Sequence, residues 1–198
     1  MNNNLFPSVF TLSKKERILL NGHNSFLVFF TGLSGAGKST IANSLEERLY
    51  KEKIRTYILD GDNVRTGINK DLGFSPEDRS ENSRRIGEIS KLFIDAGFVV
   101  LATFIAPYKS DRERIKQTVN SENFIEVFVN TSLEVCEQRD IKGIYKKART
   151  GEIKNMTGIS APYETPENPD IKVSHLNTIE ESVNIIYAKI AEKLKLKI

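Results

Sequence analysis

The stretch FTGLSGAGKST, Phe30 to Thr40, decides the fold. Its middle, GLSGAGKS, has the spacing G-x-x-x-x-G-K-[ST] of a loop that holds a nucleoside triphosphate by its phosphates. Gly32, Gly35 and Gly37 let the backbone N–H groups of the loop, Leu33, Ser34 and Ala36 included, turn inward around phosphate oxygens. A helix opening at Lys38 adds its positive dipole end. Lys38 reaches the β- and γ-phosphates, the Ser39 hydroxyl is the candidate Mg²⁺ ligand, and Thr40 completes the ATP-binding set. A Gly-rich turn that matched by chance would lack the flanks. Here FLVFFT, Phe26 to Thr31, is a short apolar run that reads as a strand covered on both faces. Behind the loop, Ile41, Leu45 and Leu49 recur at helical spacing.

Outward from that centre, strand and helix signals alternate. TYILD ends a second strand at Asp60. Ser75 caps a helix with Pro76 at its first position and Glu77 and Asp78 in its first turn; Ile86, Ile89, Phe93 and Ala96 give it an apolar face up to Gly97. FVVLATFI is a third strand, and Ser110 with Glu113 predicts a capping box for the helix after it. FIEVFV is a fourth strand, followed by a helix from Ser132 through Arg139. Residues 140–170 lose periodicity, and a structureless stretch of that length reads as a lid, about 140–160. Thr178 and Glu181 box the last helix, whose apolar face is Ile179, Val183, Ile186 and Ile190. Ahead of everything, Ser13 and Glu16 predict a short helix to Leu20, after a run Asn2 to Asn4. The alternation predicts an α/β, three-layer fold: a mostly parallel sheet, helices on both faces, and a ligand beyond the carboxyl ends of the strands. Residues 1–24 read as an extension and 25–198 as one kinase domain.

Bulk properties exclude more than they assign. The chain has 198 residues, 39% hydrophobic and 28% charged, with net charge +3. That suits a globular protein with a real core. The basic excess is too small to argue for nucleic acid or a membrane, and it allows local basic pockets for small anions. One cysteine, Cys136, permits no internal disulfide. The start lacks a signal-peptide pattern and no apolar run approaches a membrane span, so a cytoplasmic location is expected.

Three further groups carry chemistry. In LDGDNVR, Leu59 to Arg65, Asp60 and Asp62 stand where a carboxylate meets Mg²⁺ or orients an acceptor hydroxyl, although D-G-D-N is also ordinary turn composition. Arg65, Arg79, Arg84 and Arg85 lie among Phe74 and Asn82; arginine forks suit phosphate or sulfate, and an aromatic ring suits a base. Arg84 and Arg85 are adjacent, so at most one faces a site. Arg139, Lys142, Lys146, Lys147 and Arg149 crowd the lid. Cys136 has no local His partner and reads as packing, and neither His23 nor His175 has metal-ligand spacing.

Together these blocks, GLSGAGKST, LDGDNVR, DLGFSPEDRSEN with RRIGE, FIAPY with SDR, CEQRDIKGIYKKARTGEIKNMTGI and APYETPENP, resemble the adenylyl-sulfate kinase family from about Phe26 to Pro169. The resemblance implies transfer of the γ-phosphate of MgATP to the ribose 3′-hydroxyl of adenylyl sulfate, giving 3′-phosphoadenylyl sulfate for sulfate activation. It implies that Asp62 orients or deprotonates the hydroxyl. Arg65, Arg79 and Asn82 would hold the phosphosulfate end, and Phe74 would stack on the acceptor adenine. Ile105, Ala106, Lys142, Asn155 and Met156 would complete the pocket, with Arg139 on the ATP side. It also implies a homodimer. Three positions depart from the family pattern. Ala106 replaces a serine described as a phosphorylated intermediate, so no phosphoserine is expected. Met156 replaces a frequent phenylalanine, which predicts a thioether in one wall of the adenine clamp. Thr66 replaces a larger residue. The alternatives are a kinase of another small anionic metabolite, a GTPase switch, which the lack of an N-K-x-D motif opposes, and a silent regulatory member of the same fold.

Overall fold

A computed structural model of the chain describes residue 6 and residues 8–196; the Asn2–Asn4 run lies outside the described residues. Five parallel strands form one sheet in the order β2-β3-β1-β4-β5. They are β1 (Leu27–Thr31), β2 (Thr56–Asp60), β3 (Val99–Thr103), β4 (Phe124–Asn130) and β5 (Ile171–Ser174). The helices are α1 (Lys14–Asn21), α2 (Lys38–Lys51), α3 (Gly61–Thr66), α4 (Pro76–Asp95), α5 (Lys109–Thr118), α6 (Leu133–Arg139), α7 (Ile144–Arg149) and α8 (Ile179–Leu194). Among the described residues no helix is long and apolar enough to cross a membrane.

The central strand explains the layers. Every residue of β1 is buried, and its side chains alternate between faces. Phe26, Val28 and Phe30 join Ile41 and Leu45 of α2 and Ile186 and Ile190 of α8. Leu27 and Phe29 join Ile86 of α4 and Ile115 of α5 on the opposite face. The phosphate-loop turn leaves the carboxyl end of this doubly covered strand, as the apolar run predicts.

Most caps are where their residue types put them. Ser13 with Glu16, Ser75, Ser132, and Thr178 with Glu181 all close on their helices. The Ser110–Glu113 box does not form. Helix α5 starts at Lys109, and its first N–H donates 2.6 Å to Glu164 Oε2, a residue far along the chain. A tertiary carboxylate has displaced the local cap. The face of α4 also differs from the expected one: Ser83, Ile86, Gly87, Ser90 and Ile94 are buried, Ile89 and Phe93 are half-buried, and Ala96 is exposed. Small residues line this face because α5 packs close; a methyl at Gly87 would already touch Thr118 at 3.5 Å. Ile179, the first residue of α8, is 47% exposed, and the buried row instead runs from Val183 through Ile186 and Ile190 to Leu194.

Two elements in 140–174 were not expected. Helix α7 is too short for a periodic signal and is started by Asp140, whose carboxylate accepts the N–H groups of Tyr145 and Lys146 at 3.0 Å each. Strand β5 is a four-residue edge strand carrying an exposed Lys172, a pattern that guards an edge and hides a strand. Arg17 pairs with Asp95 at 2.6 Å and Asn21 donates to the Gly97 carbonyl at 3.0 Å, so α1 rests on the end of α4.

Candidate active site

At the carboxyl ends of β1, β2 and β3 lies a cavity of about 490 Å³. Its floor is the turn from Ser34 to Thr40. Gly32, Gly35 and Gly37 take φ of 153°, 72° and 106°. Gly32 has a second constraint: a β-carbon there would stand 2.6 Å from the Val129 carbonyl oxygen. Gly37 caps α2 without a side chain, and no acid occupies the first turn, so the helix presents bare N–H groups to an anion. Gly32 and Leu33 lie behind the cavity wall rather than on it. Their carbonyls accept from Lys38 Nζ at 2.9 and 2.8 Å. Burial pulls the Lys38 ammonium down to about 8, with Lys142 pushing the same way.

Asp60 ends β2 and caps α3. Its Oδ1 accepts the N–H groups of Asp62 and Asn63, and its Oδ2 accepts from the Ser39 hydroxyl at 2.7 Å and the Thr103 hydroxyl at 2.8 Å. Burial alone would raise this carboxyl, but those four hydrogen bonds outweigh it and hold it below the ordinary range. Ser39 and Asp60 therefore offer two adjacent hard oxygens, the donor chemistry that Mg²⁺ takes when phosphates supply the rest. Among the described residues no cluster of three or more His, Cys, Asp or Glu could hold a metal ion. Asp60 was named in the sequence but not singled out; its signal was the hydrophobic strand YIL running straight into an acid.

The far half of the cavity is lined by Asp62, Arg65, Phe74, Arg79, Asn82, Ile105 and Ala106. Asp62 is exposed and its carboxylate pairs with Lys142 Nζ from the segment before α7. Arg65 Nη1 donates to the Leu72 and Gly73 carbonyls at 3.1 and 2.8 Å, and its guanidinium lies 4.6 Å from the centre of the Phe74 ring. Arg79 donates from Nε to the Phe74 carbonyl at 3.1 Å and from Nη2 to the Asn155 carbonyl at 2.8 Å, with its guanidinium 5.6 Å from the same ring. Phe74 is 58% exposed, an apolar plate between cations at the mouth of the site. Thr31 Oγ1 donates to the Ile105 carbonyl at 2.6 Å. Ala106 takes φ 42°, and its carbonyl accepts from the buried Arg112 at 2.8 Å.

Arg139 donates to the Gly35 carbonyl at 3.2 Å and lines the donor end, as does Lys142 its own side. Ser174, which ends β5, and His175 and Asn177 after it line the cavity too; the unrecognised strand hid them. Met156 is 7% exposed and packs in the main core, away from the cavity wall. The expected thioether wall of an adenine clamp is thus absent here; Met156 instead supports the turn in which its carbonyl accepts the N–H groups of Ile159, Ser160 and Ala161. Asn155 touches the site through its carbonyl alone. Neither Arg84 nor Arg85 lines the cavity: Arg84 pairs with Glu81, and Arg85 with Asp71 and Glu81. Cys136 is fully buried, and burial pushes its thiol up, so it packs rather than reacts. Thr66 donates to the Asn63 carbonyl at 2.8 Å, a local bond with no part in the cavity.

The arrangement has known counterparts. The family model for adenylylsulphate kinase matches residues 24–174. An adenylyl-sulfate kinase of Staphylococcus epidermidis is 56% identical over 91% of this chain and 92% of its own length. One from Thermodesulfovibrio yellowstonii is 52% identical over 98% of both chains. A solved Mycobacterium tuberculosis APS kinase in complex with AMPPNP and APS superposes with a TM-score of 0.83 at 42% identity, covering 85% of this chain and 98% of that one. A gluconokinase from Sinorhizobium meliloti, with a TM-score of 0.55 at 20% identity, shares the fold alone. The chain is a P-loop kinase and belongs to the adenylylsulphate kinase family.

Proposed function

We propose that this enzyme transfers the γ-phosphate of MgATP to the ribose 3′-hydroxyl of adenylyl sulfate, giving 3′-phosphoadenylyl sulfate and ADP, without a phosphoenzyme. The observation that carries the reading is the facing of two unlike half-sites in one cavity: a phosphate loop with Lys38 and Ser39, and opposite it Asp62 with Arg65, Arg79, Asn82 and Phe74. The first suits the triphosphate of a donor. The second matches a nucleotide bearing a phosphate–sulfate anhydride, because arginine forks recognise such oxygens and the exposed ring offers a face to a base.

Lys38 and the loop N–H groups neutralise charge on the donor phosphates; Ser39 and Asp60 would hold Mg²⁺, which would supply further charge compensation when bound. Arg139 closes the donor end. Asp62, released from Lys142, orients the acceptor hydroxyl and takes its proton. Phosphoryl transfer between two well-placed oxygens is a matter of positioning and charge, so no protein hydroxyl is required at position 106. Ala106 is buried in a left-handed turn and serves as wall. A homodimer and a cytoplasmic location fit the same reading, and sedimentation of the purified chain tests the first.

The test is to incubate the enzyme with radiolabelled MgATP and adenylyl sulfate, following product and intact protein mass together. Turnover to the 3′-phosphorylated nucleotide with no mass gain of one phosphoryl group is expected. No turnover in wild type, with activity in Ala106→Ser and phosphate on that serine, overturns direct transfer.

A further inference from the structure

Asn82 is 7% exposed and reaches the acceptor half of the cavity from α4, and one end of its amide is already engaged. Its Oδ1 accepts a hydrogen bond from Asn69 Nδ2 at 3.0 Å. Among the described residues no protein group accepts from Asn82 Nδ2, so the NH2 end is the one left to the cavity. Asn69 is wholly buried in the turn between α3 and α4. Its backbone is fixed there: its N–H donates to the Val64 carbonyl at 2.9 Å, and its carbonyl accepts from Leu72 N–H at 3.1 Å. The Asn69 side-chain oxygen, by contrast, is buried with no partner.

These facts fit together. The two ends of a carboxamide have nearly the same shape and opposite polarity. An unrestrained Asn82 can present either an N–H donor or a carbonyl oxygen to a ligand. An anionic ligand gains from the first and is repelled by the second. An unpartnered buried oxygen is costly, and a leucine would fill the same volume without it. Keeping an amide at position 69 is therefore poor packing and good orientation.

We propose that Asn69 is a positioning residue that locks the Asn82 amide with its NH2 toward the anionic end of the acceptor. The inference rests on the proposed adenylyl sulfate kinase reading, and it adds a residue that never touches substrate.

The test compares Asn69→Ala, Asn69→Leu, Asn82→Ala and the double variant Asn69→Ala/Asn82→Ala with wild type, measuring KM for each substrate, kcat and thermal midpoint. Losing one oriented hydrogen bond should raise the adenylyl sulfate KM about fivefold in each single variant, with the MgATP KM unchanged. Asn69→Leu should keep or raise the thermal midpoint while still weakening the acceptor. The double variant should be no worse than Asn82→Ala, because Asn69 acts only through Asn82. Additive losses, equal losses for both substrates, a wild-type acceptor KM in Asn69→Leu, or a wild-type acceptor KM in Asn82→Ala each overturn the proposal. The wild-type arm keeps the two readings apart: absence of turnover on adenylyl sulfate there refutes the proposed function itself.

Discussion

The two halves of the cavity are built in different ways. The donor half comes from one unbroken stretch, Ser34 to Thr40, whose backbone does the binding and whose cation, Lys38, is buried. The acceptor half is gathered from α3, the turn before α4, α4 itself, the loop after β3 and the segment before α7, and it works through side chains. Several of these are open to solvent: Asp62 is 71% and Lys142 is 56% exposed at the side chain. Cations in both halves rest on backbone carbonyls, Lys38 on Gly32 and Leu33, Arg65 on Leu72 and Gly73, and Arg79 on Phe74 and Asn155. The difference teaches that a backbone site tolerates little substitution, while a side-chain site can be changed one contact at a time.

The largest effect should come from the donor half. Lys38→Ala removes a preorganised charge from a dry position, and kcat should fall about a thousandfold. Activity within threefold of wild type would remove the donor half from the chemistry. Asp62→Asn comes next, with kcat down about a hundredfold and MgATP affinity held, since the amide keeps the shape but takes no proton. Equal loss of affinity and turnover would transfer Asp62 to the metal and blur the division. Arg79→Ala should weaken the acceptor by roughly 1.5–3 kcal/mol, about ten- to 150-fold in its KM, and leave ATP alone. An effect confined to ATP would place Arg79 across the cavity. The smallest change expected is from Glu164→Ala, which strips the distant cap from α5. Stability should drop by about 1 kcal/mol, seen as a thermal midpoint lower by about 3 °C. An unchanged midpoint would mean that the N–H of Lys109 is served as well by water.

The same division governs what was legible in the sequence. The phosphate loop could be read outright because its geometry is local: glycine spacing, an apolar strand before it and a helix after it. The parallel sheet followed from alternation of strand and helix signals. Arg65, Phe74, Arg79 and Asn82 line the cavity; composition had grouped them with Arg84 and Arg85, and only family resemblance separated the four from those two, since no spacing rule joins α3 to α4. Met156 shows the limit of that grouping. Its neighbour Asn155 bonds Arg79, while Met156 turns into the core. Ser110 failed as a cap because Glu164 arrived from another segment, and no local pattern reports a partner so distant. Strand β5 was concealed by its own edge protection, and with it went the residues that close the donor end. Asn69 drew no reading from the sequence, because its meaning depends on which way a neighbouring amide faces.

Glu164 is held three times over. Its N–H donates to the Pro107 carbonyl at 2.8 Å, its carbonyl accepts from Arg112 at 2.7 Å, and its carboxylate caps α5. Mechanically this is a clamp, and it stands just after the segment 140–160. Ahead of the clamp, Tyr145 and Met156 anchor that segment in the main core. Because Pro107 follows Ala106, and Arg112 also donates to the Ala106 carbonyl, the clamp is joined to the acceptor wall. The wall beside the acceptor is thus fastened from behind, to α5 and to the chain after residue 160, by hydrogen bonds that need no ligand.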